Sequence, residues 1–236
     1  MESKHASRLI VLDTETTGLN TSDGNRIIEI GCVELIERRL TGNNFHIYIN
    51  PQRESEEGAL RVHGLTSEFL STKPVFADIA NEFLNYIQGS ELVIHNAPFD
   101  LGFLNYELKR LQHSKKIEDY CAVFDTLVDA KNRFPNQRNN LDALCKRYDV
   151  NNSHRELHGA LLDAQILAEV FLKMTGGQFS LMNESDNATQ IITASTQNIV
   201  RTLSNRAALL VLHCNEEEQQ AHEARLDSIK NCLWRT

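Results

Sequence analysis

Between Arg8 and Met174 the hydrophobic positions switch repeatedly between two spacings. Continuous or alternating apolar runs predict strands at Arg8–Thr14, Ile27–Ile36, Phe45–Asn50, Glu91–His95 and Ala122–Thr126. Runs at helical spacing predict helices at Val75–Gln88, Asp100–Leu111, Leu127–Phe134, Leu141–Tyr148 and Gly159–Met174. The first helix carries Phe76, Ile79, Ala80, Phe83, Leu84 and Ile87 on one stripe, and the second carries Leu101, Leu104, Leu108 and Leu111. Gly24-Asn25 is a turn signal that would let the first two strands pair as a hairpin. Strands and helices in this order predict an α/β domain with a mixed sheet.

Gly176-Gly177 closes the last of these helices. The composition then changes. Asn183–Asn198 is rich in Asn, Ser, Thr, Gln and Asp and reads as a linker. A short apolar stretch, Ala207–Leu212, precedes an acidic, Gln-rich helical segment, Glu216–Ile229, and a tail that holds the only tryptophan, Trp234.

Several carboxylates break the apolar pattern. Leu9, Val11, Asp13 and Glu15 share one face of a strand, because strand side chains alternate. Two acids on a core-facing side need a positive partner, and a divalent cation is one solution; a strand running out into a polar loop is the other. On Gly159–Met174, residues Leu162, Ile166, Leu167, Val170, Phe171 and Met174 form one apolar arc with Asp163 in its middle. A carboxylate there must pair with a cationic side chain, hold a proton or bind a metal, unless a gap in the packing leaves that helix end exposed. His158 precedes that helix and is expected at its start or in the loop before it. Asp100, in His95-Asn-Ala-Pro-Phe-Asp100, sits where a helix begins, which suits either a cap or a ligand. Four acids in one place would repel one another unless about two divalent cations neutralised them. Oxygen ligands favour magnesium or manganese, and such a site suits attack of water on a phosphodiester with a neutral histidine as base.

A net charge of −8 changes the expected mode of action. Proteins that grip duplex nucleic acid unaided are normally basic. This chain would hold only a strand end, or borrow grip from a partner. The five cysteines stand far apart, with no C-x-x-C pair, and read as reduced, buried thiols. No stretch is apolar enough for a membrane span, and the N-terminal residues lack an apolar signal region, so a cytoplasmic location and no membrane partner are expected.

Asp13-Thr-Glu15-Thr-Thr-Gly18, His95-Asn-Ala-Pro-Phe-Asp100 and the His158/Asp163 pair resemble, in order, the motifs of the DEDD exonuclease superfamily in its histidine subclass. Arg26-Ile-Ile-Glu-Ile-Gly31, Val62-His-Gly-Leu65, Leu157-His-Gly-Ala-Leu-Leu-Asp-Ala-Gln165 and Cys232-Leu-Trp-Arg235 are similar to the family of epsilon proofreading subunits of bacterial DNA polymerase III. Pro98 departs from that family, which often has a small residue there, and is expected to stiffen the loop before Asp100. The resemblance implies a ribonuclease-H-like fold with a five-stranded mixed sheet flanked by helices. It implies 3′→5′ removal of mispaired nucleotides at a DNA 3′ end.

Carried over by position, Asp13, Glu15, Asp100 and Asp163 are expected to hold two divalent cations, Mg2+ or Mn2+, with His158 as general base. Thr14, His63 and Phe99 are expected beside the terminal nucleotide, along with Asp13, Glu15 and Asp163; plain core packing is the other reading of Phe99. The resemblance divides the chain into an exonuclease domain (1–177), a linker (178–198) and a polymerase-binding segment (199–236). Gln178-Phe-Ser-Leu-Met182 resembles a sliding-clamp motif, through Gln178, Leu181 and Met182; a capped helix end leading into the linker is the alternative. Leu226, Ile229, Leu233 and Trp234 are expected to dock on the polymerase alpha subunit, and the catalytic domain on a small theta-like subunit. Two other functions fit parts of the pattern: an exonuclease of short RNA ends, and a non-catalytic bridge between clamp and polymerase.

Overall fold

Strand β1 (Arg8–Thr16) lies inside the sheet, and its sequence shows why: Leu9 to Leu12 are all buried, as a strand covered on both faces requires. The computed structural model describes residues 8–153, 157–176 and 215–228. Strand β2 (Ile27–Ile36) pairs antiparallel with β1, the hairpin that the turn signal implied. Strands β3 (Arg39–Leu40) and β4 (Phe45–Tyr48) both pair with β2. Strands β5 (Glu91–Ile94) and β6 (Ala122–Asp125) extend the other side in parallel, giving the order β3-β2-β1-β5-β6.

The sheet therefore has six strands, not the five expected. The additional one is the two-residue β3, too short to show alternation. Two short helices, α1 (Glu57–His63) and α2 (Ser67–Ser71), were not anticipated either. The longer helices fall within a few residues of expectation: α3 (Phe76–Ile87), α4 (Ala97–Arg110), α5 (Thr126–Arg133), α6 (Leu141–Tyr148) and α7 (Ala160–Thr175).

The helices cover opposite faces of the sheet. Ile10 and Leu12 share a core with Phe76, Phe83 and Ile87 of α3 and Phe103, Leu104 and Leu108 of α4. Leu9 and Val11 pack instead against Ala164, Leu167, Ala168 and Phe171 of α7. Ala130 of α5 and Leu144 and Cys145 of α6 close over Ile166, Val170 and Met174 on the far side of α7. Cys32, Cys121 and Cys145 are buried, as expected of reduced thiols in the core.

The chain divides into two units, Met1–Asp186 and Asn187–Thr236. The described part of the second is helix α8 (Glu216–Asp227), within the segment expected to be helical. Asn215 accepts the Glu218 amide at 2.8 Å, and Glu218 accepts the Asn215 amide at 3.0 Å, a reciprocal cap. No helix among the described residues is long and apolar enough to cross a membrane.

Candidate active site

The site is built where β1 ends. Alternation carries Asp13 and Glu15 to the α7 face, after Leu9 and Val11, and Thr14 to the α4 face, after Ile10 and Leu12. Opposite Asp13 in the register stands Gly31. A Cβ at Gly31 would lie 2.2 Å from the Leu161 nitrogen and 2.3 Å from the Ala160 carbonyl carbon. Only glycine lets the first turn of α7 rest on the sheet there. That contact sets the end of α7 from which Asp163 projects toward β1.

Asp163 is 2% exposed, in the apolar arc where the sequence put it. The chain before it is extended at Gly159, and the Asp163 amide donates to the Gly159 carbonyl at 2.9 Å. His158 lies in that entry segment. Its amide donates to the Val62 carbonyl at 3.1 Å, and its Nδ1 lies 3.3 Å from Asp163 Oδ2. One ligand atom each of Glu15, His158 and Asp163 falls within 4.8 Å of the others. Asp13 and Asp100 stand outside this tight group. Asp13 is half-buried, two positions before Glu15 on the same strand face.

Asp100 approaches from the other face of the sheet. Helix α4 begins at Ala97, earlier than expected, so Pro98 lies in its first turn rather than in a loop. Proline costs little there, because that amide has no helical partner. Asn96, at φ 73°, turns the chain sharply into the helix. Asp100 is 3% exposed and accepts the Thr14 hydroxyl at 2.7 Å, so it acts as a tie to β1. Burial pushes its carboxyl up to about 7, partly offset by hydrogen bonds from Thr14 and the backbone, while the nearby Asp125 adds to the rise. Carboxylates buried or half-buried on three converging elements, one of them reluctant to ionise, form a donor set that fits oxygen-preferring divalent cations.

His63 closes α1 and is 3% exposed. Its Nδ1 accepts the Leu65 amide at 2.9 Å, which assigns the hydrogen to Nε2, a buried atom with no hydrogen-bond partner among the described residues. Burial lowers its pKa, so the ring is a neutral donor. Phe99 is half-buried, with its ring centroid 5.1 Å from that of Phe103. Leu226 is half-buried on α8. Gln178, Leu181, Met182, Ile229, Leu233 and Trp234 lie outside the described residues.

Three features of the site were not anticipated. Gly31 is one. The second is Arg26, whose guanidinium grips Glu107 of α4 at 2.6 and 2.7 Å in a buried pair and fixes that helix on the sheet. The third is Asp125, half-buried at the end of β6, beside the start of α4. Long-range pairing creates all three, and no local pattern marks them.

Residues 10–171 match the RNase T exonuclease family. The chain is 54% identical to the DNA polymerase III subunit epsilon of Salmonella typhimurium over 240 residues, covering 97% of this chain and 98% of that one. It is 52% identical to the subunit of the same name from Escherichia coli, with the same coverage. Among solved structures, exonuclease X in complex with 5′ overhanging duplex DNA superposes with a TM-score of 0.58 at 25% identity, over 72% of this chain and 93% of that one. Apo exonuclease I shares the fold at a TM-score of 0.62 and 16% identity, over 77% of this chain and 44% of its own. These neighbours share the ribonuclease-H-like arrangement of a mixed sheet flanked by helices.

Proposed function

The chain belongs to the RNase T exonuclease family, among the DNA polymerase III epsilon subunits; it is a 3′→5′ DNA exonuclease that proofreads during replication, and we propose that it works with two divalent cations and a histidine base. The observation that carries the mechanism is the convergence of Glu15, His158 and Asp163 on one point at the end of β1.

Asp13, Glu15 and Asp163 would hold one cation and Asp13 and Asp100 the other. When bound, magnesium or manganese supplies positive charge to the scissile phosphate and makes water easier to ionise. The protein's own groups do the rest. Asp163 faces Nδ1 of His158, which favours a proton on that nitrogen and leaves Nε2 as the acceptor. Nε2 takes the proton of the attacking water, the bond from phosphorus to the 3′ oxygen of the preceding nucleotide breaks, and a nucleoside 5′-monophosphate leaves. His63 offers its buried Nε2–H to the terminal nucleotide. The exposed part of Phe99 offers a surface for an unpaired base, and Thr14 holds Asp100 in register.

The acidic charge fits a subunit that works tethered. The C-terminal segment would bind the polymerase alpha subunit, Gln178–Met182 the sliding clamp, and the catalytic domain a theta-like subunit. Tethering raises the local concentration of the strand end without a basic DNA grip on this chain. Trp234→Ala in the full chain should lose co-purification with the alpha subunit and keep nuclease activity.

A primer with a mispaired 3′ end tests the central reading. Nucleoside monophosphate should appear with Mg2+ or Mn2+ and stop in chelator. Undiminished release in chelator would overturn the metal assignment.

A further inference from the structure

We propose that Asp125 is the residue that positions Asp100, by capping two helices at once. The inference rests on the reading that Asp100 helps to hold a cation.

Parallel pairing puts Asp125 beside Ile94, the last residue of β5. Here the chain leaves the sheet through His95 and Asn96 and enters α4. Asn96 occupies the N-cap position of α4, yet its side chain makes no capping bond. Asp125 supplies the cap from the neighbouring strand. Its Oδ1 accepts the Asn96 amide at 3.2 Å and its Oδ2 accepts the Ala97 amide at 3.1 Å. The same carboxylate caps its own helix, α5, through the amides of Leu127 at 2.8 Å and Val128 at 3.3 Å. Two helix starts thus share one acidic side chain, where both dipoles favour negative charge.

The neighbouring contacts reinforce the tie. Nδ1 of His95 lies 2.9 Å from the Thr126 hydroxyl, which donates to the Ile94 carbonyl at 3.2 Å. Asn96 turns the chain at φ 73°, a left-handed conformation that asparagine adopts more readily than most residues. Asp100 lies in the first turn after it. Without the bonds to Asn96 and Ala97, the turn into α4 can relax, and Asp100 would swing relative to Glu15 and Asp163. Asp125 touches neither substrate nor cation in this account. It is a positioning residue.

The test uses Asp125→Ser in the full chain. Serine retains a cap for α5 but is too short to reach Asn96 and Ala97. Asn140→Ala is the control: Asn140 caps α6 by accepting the Ala143 amide at 3.1 Å, with no tie to α4. Mn2+ binding is titrated by electron paramagnetic resonance of the free ion. In parallel, kcat and KM are measured on a single-stranded oligonucleotide, well below each melting temperature.

Asp125→Ser should weaken the lower-affinity Mn2+ about tenfold and lower kcat at limiting cation, with KM for the oligonucleotide unchanged. Asn140→Ala should lower the melting temperature and move neither. Asp125→Asn, with one oxygen left, should fall between wild type and Asp125→Ser. It also provides the measurement if the serine variant does not fold. Wild-type Mn2+ affinity and kcat in a folded Asp125 variant would overturn the proposal. A wild-type protein that binds no Mn2+ would instead sink the cation reading itself, and this inference with it.

Discussion

Gly31→Ala probes the geometry most directly. The added Cβ would stand 2.2 to 2.4 Å from backbone atoms of Ala160 and Leu161, whereas ordinary contact begins near 3.4 Å. Backbone cannot rotate away, so the start of α7 must lift by about 1 Å. Overpacking of this kind costs about 3 kcal/mol. For a domain of this size that is a fall in melting temperature of roughly 6–12 °C. The functional cost should be larger. The displaced turn carries Asp163, and misplacing a reacting group by about 1 Å can slow turnover about a hundredfold. The assay compares thermal melting with monophosphate release from a mispaired primer, using Gly102→Ala as control. A Cβ at Gly102, on α4, would meet nothing within 4 Å, so that variant should melt no lower than wild type and cut normally. Normal turnover by folded Gly31→Ala would refute the claim that this contact sets the site.

Asp13→Ala and Asp163→Ala should each abolish nuclease activity, by at least about a thousandfold, with an unchanged circular-dichroism spectrum; full turnover by either would remove that residue from the site. Asp100 gives a pH dependence with a sign opposite to that of an ordinary salt-bridged acid. Its carboxyl titrates near 7 in the fold against an ordinary 3.8, so the cation-free native state keeps a proton that the unfolded chain releases. Stability should therefore fall as pH rises through that window. In chelator, Asp100→Asn should melt higher than wild type at pH above 7 and no higher near pH 4; equal melting at both would disprove the shift. Glu107→Ala leaves Arg26 buried without its partner and should destabilise by about 3–5 kcal/mol in denaturant titrations. Thr14→Val removes the 2.7 Å bond to the buried Asp100 and should cost about tenfold in turnover, with a melting temperature lower by roughly 2–8 °C.

Legibility in the sequence followed burial. β2 and α6 have the limits their hydrophobic patterns imply: β2 is buried on both faces along almost its whole length, and α6 turns Leu141, Leu144, Cys145 and Tyr148 onto the core. Asp163 was visible as a candidate because an acid in the middle of an apolar arc is conspicuous, and it is indeed buried there. Helices α1 and α2 were not visible: each buries a single side chain, His63 and Leu70, so neither shows a period. The start of α4 was read late because Asn96 and Pro98 are turn residues in isolation. Their helical role depends on Asp125 across the sheet. Gly31 belongs to a recognisable motif, but the reason for glycine there lies in α7, far along the chain.

The last residues of β1 face both ways, Asp13 and Glu15 toward α7 and Thr14 toward Asp100. On the reading that Asp13, Glu15, Asp100 and Asp163 share one site, that site exists only while both helical layers are seated. Should the layer on either face melt, the acids it carries would part from β1 and cutting should stop. That dependence on both faces follows from strand alternation itself.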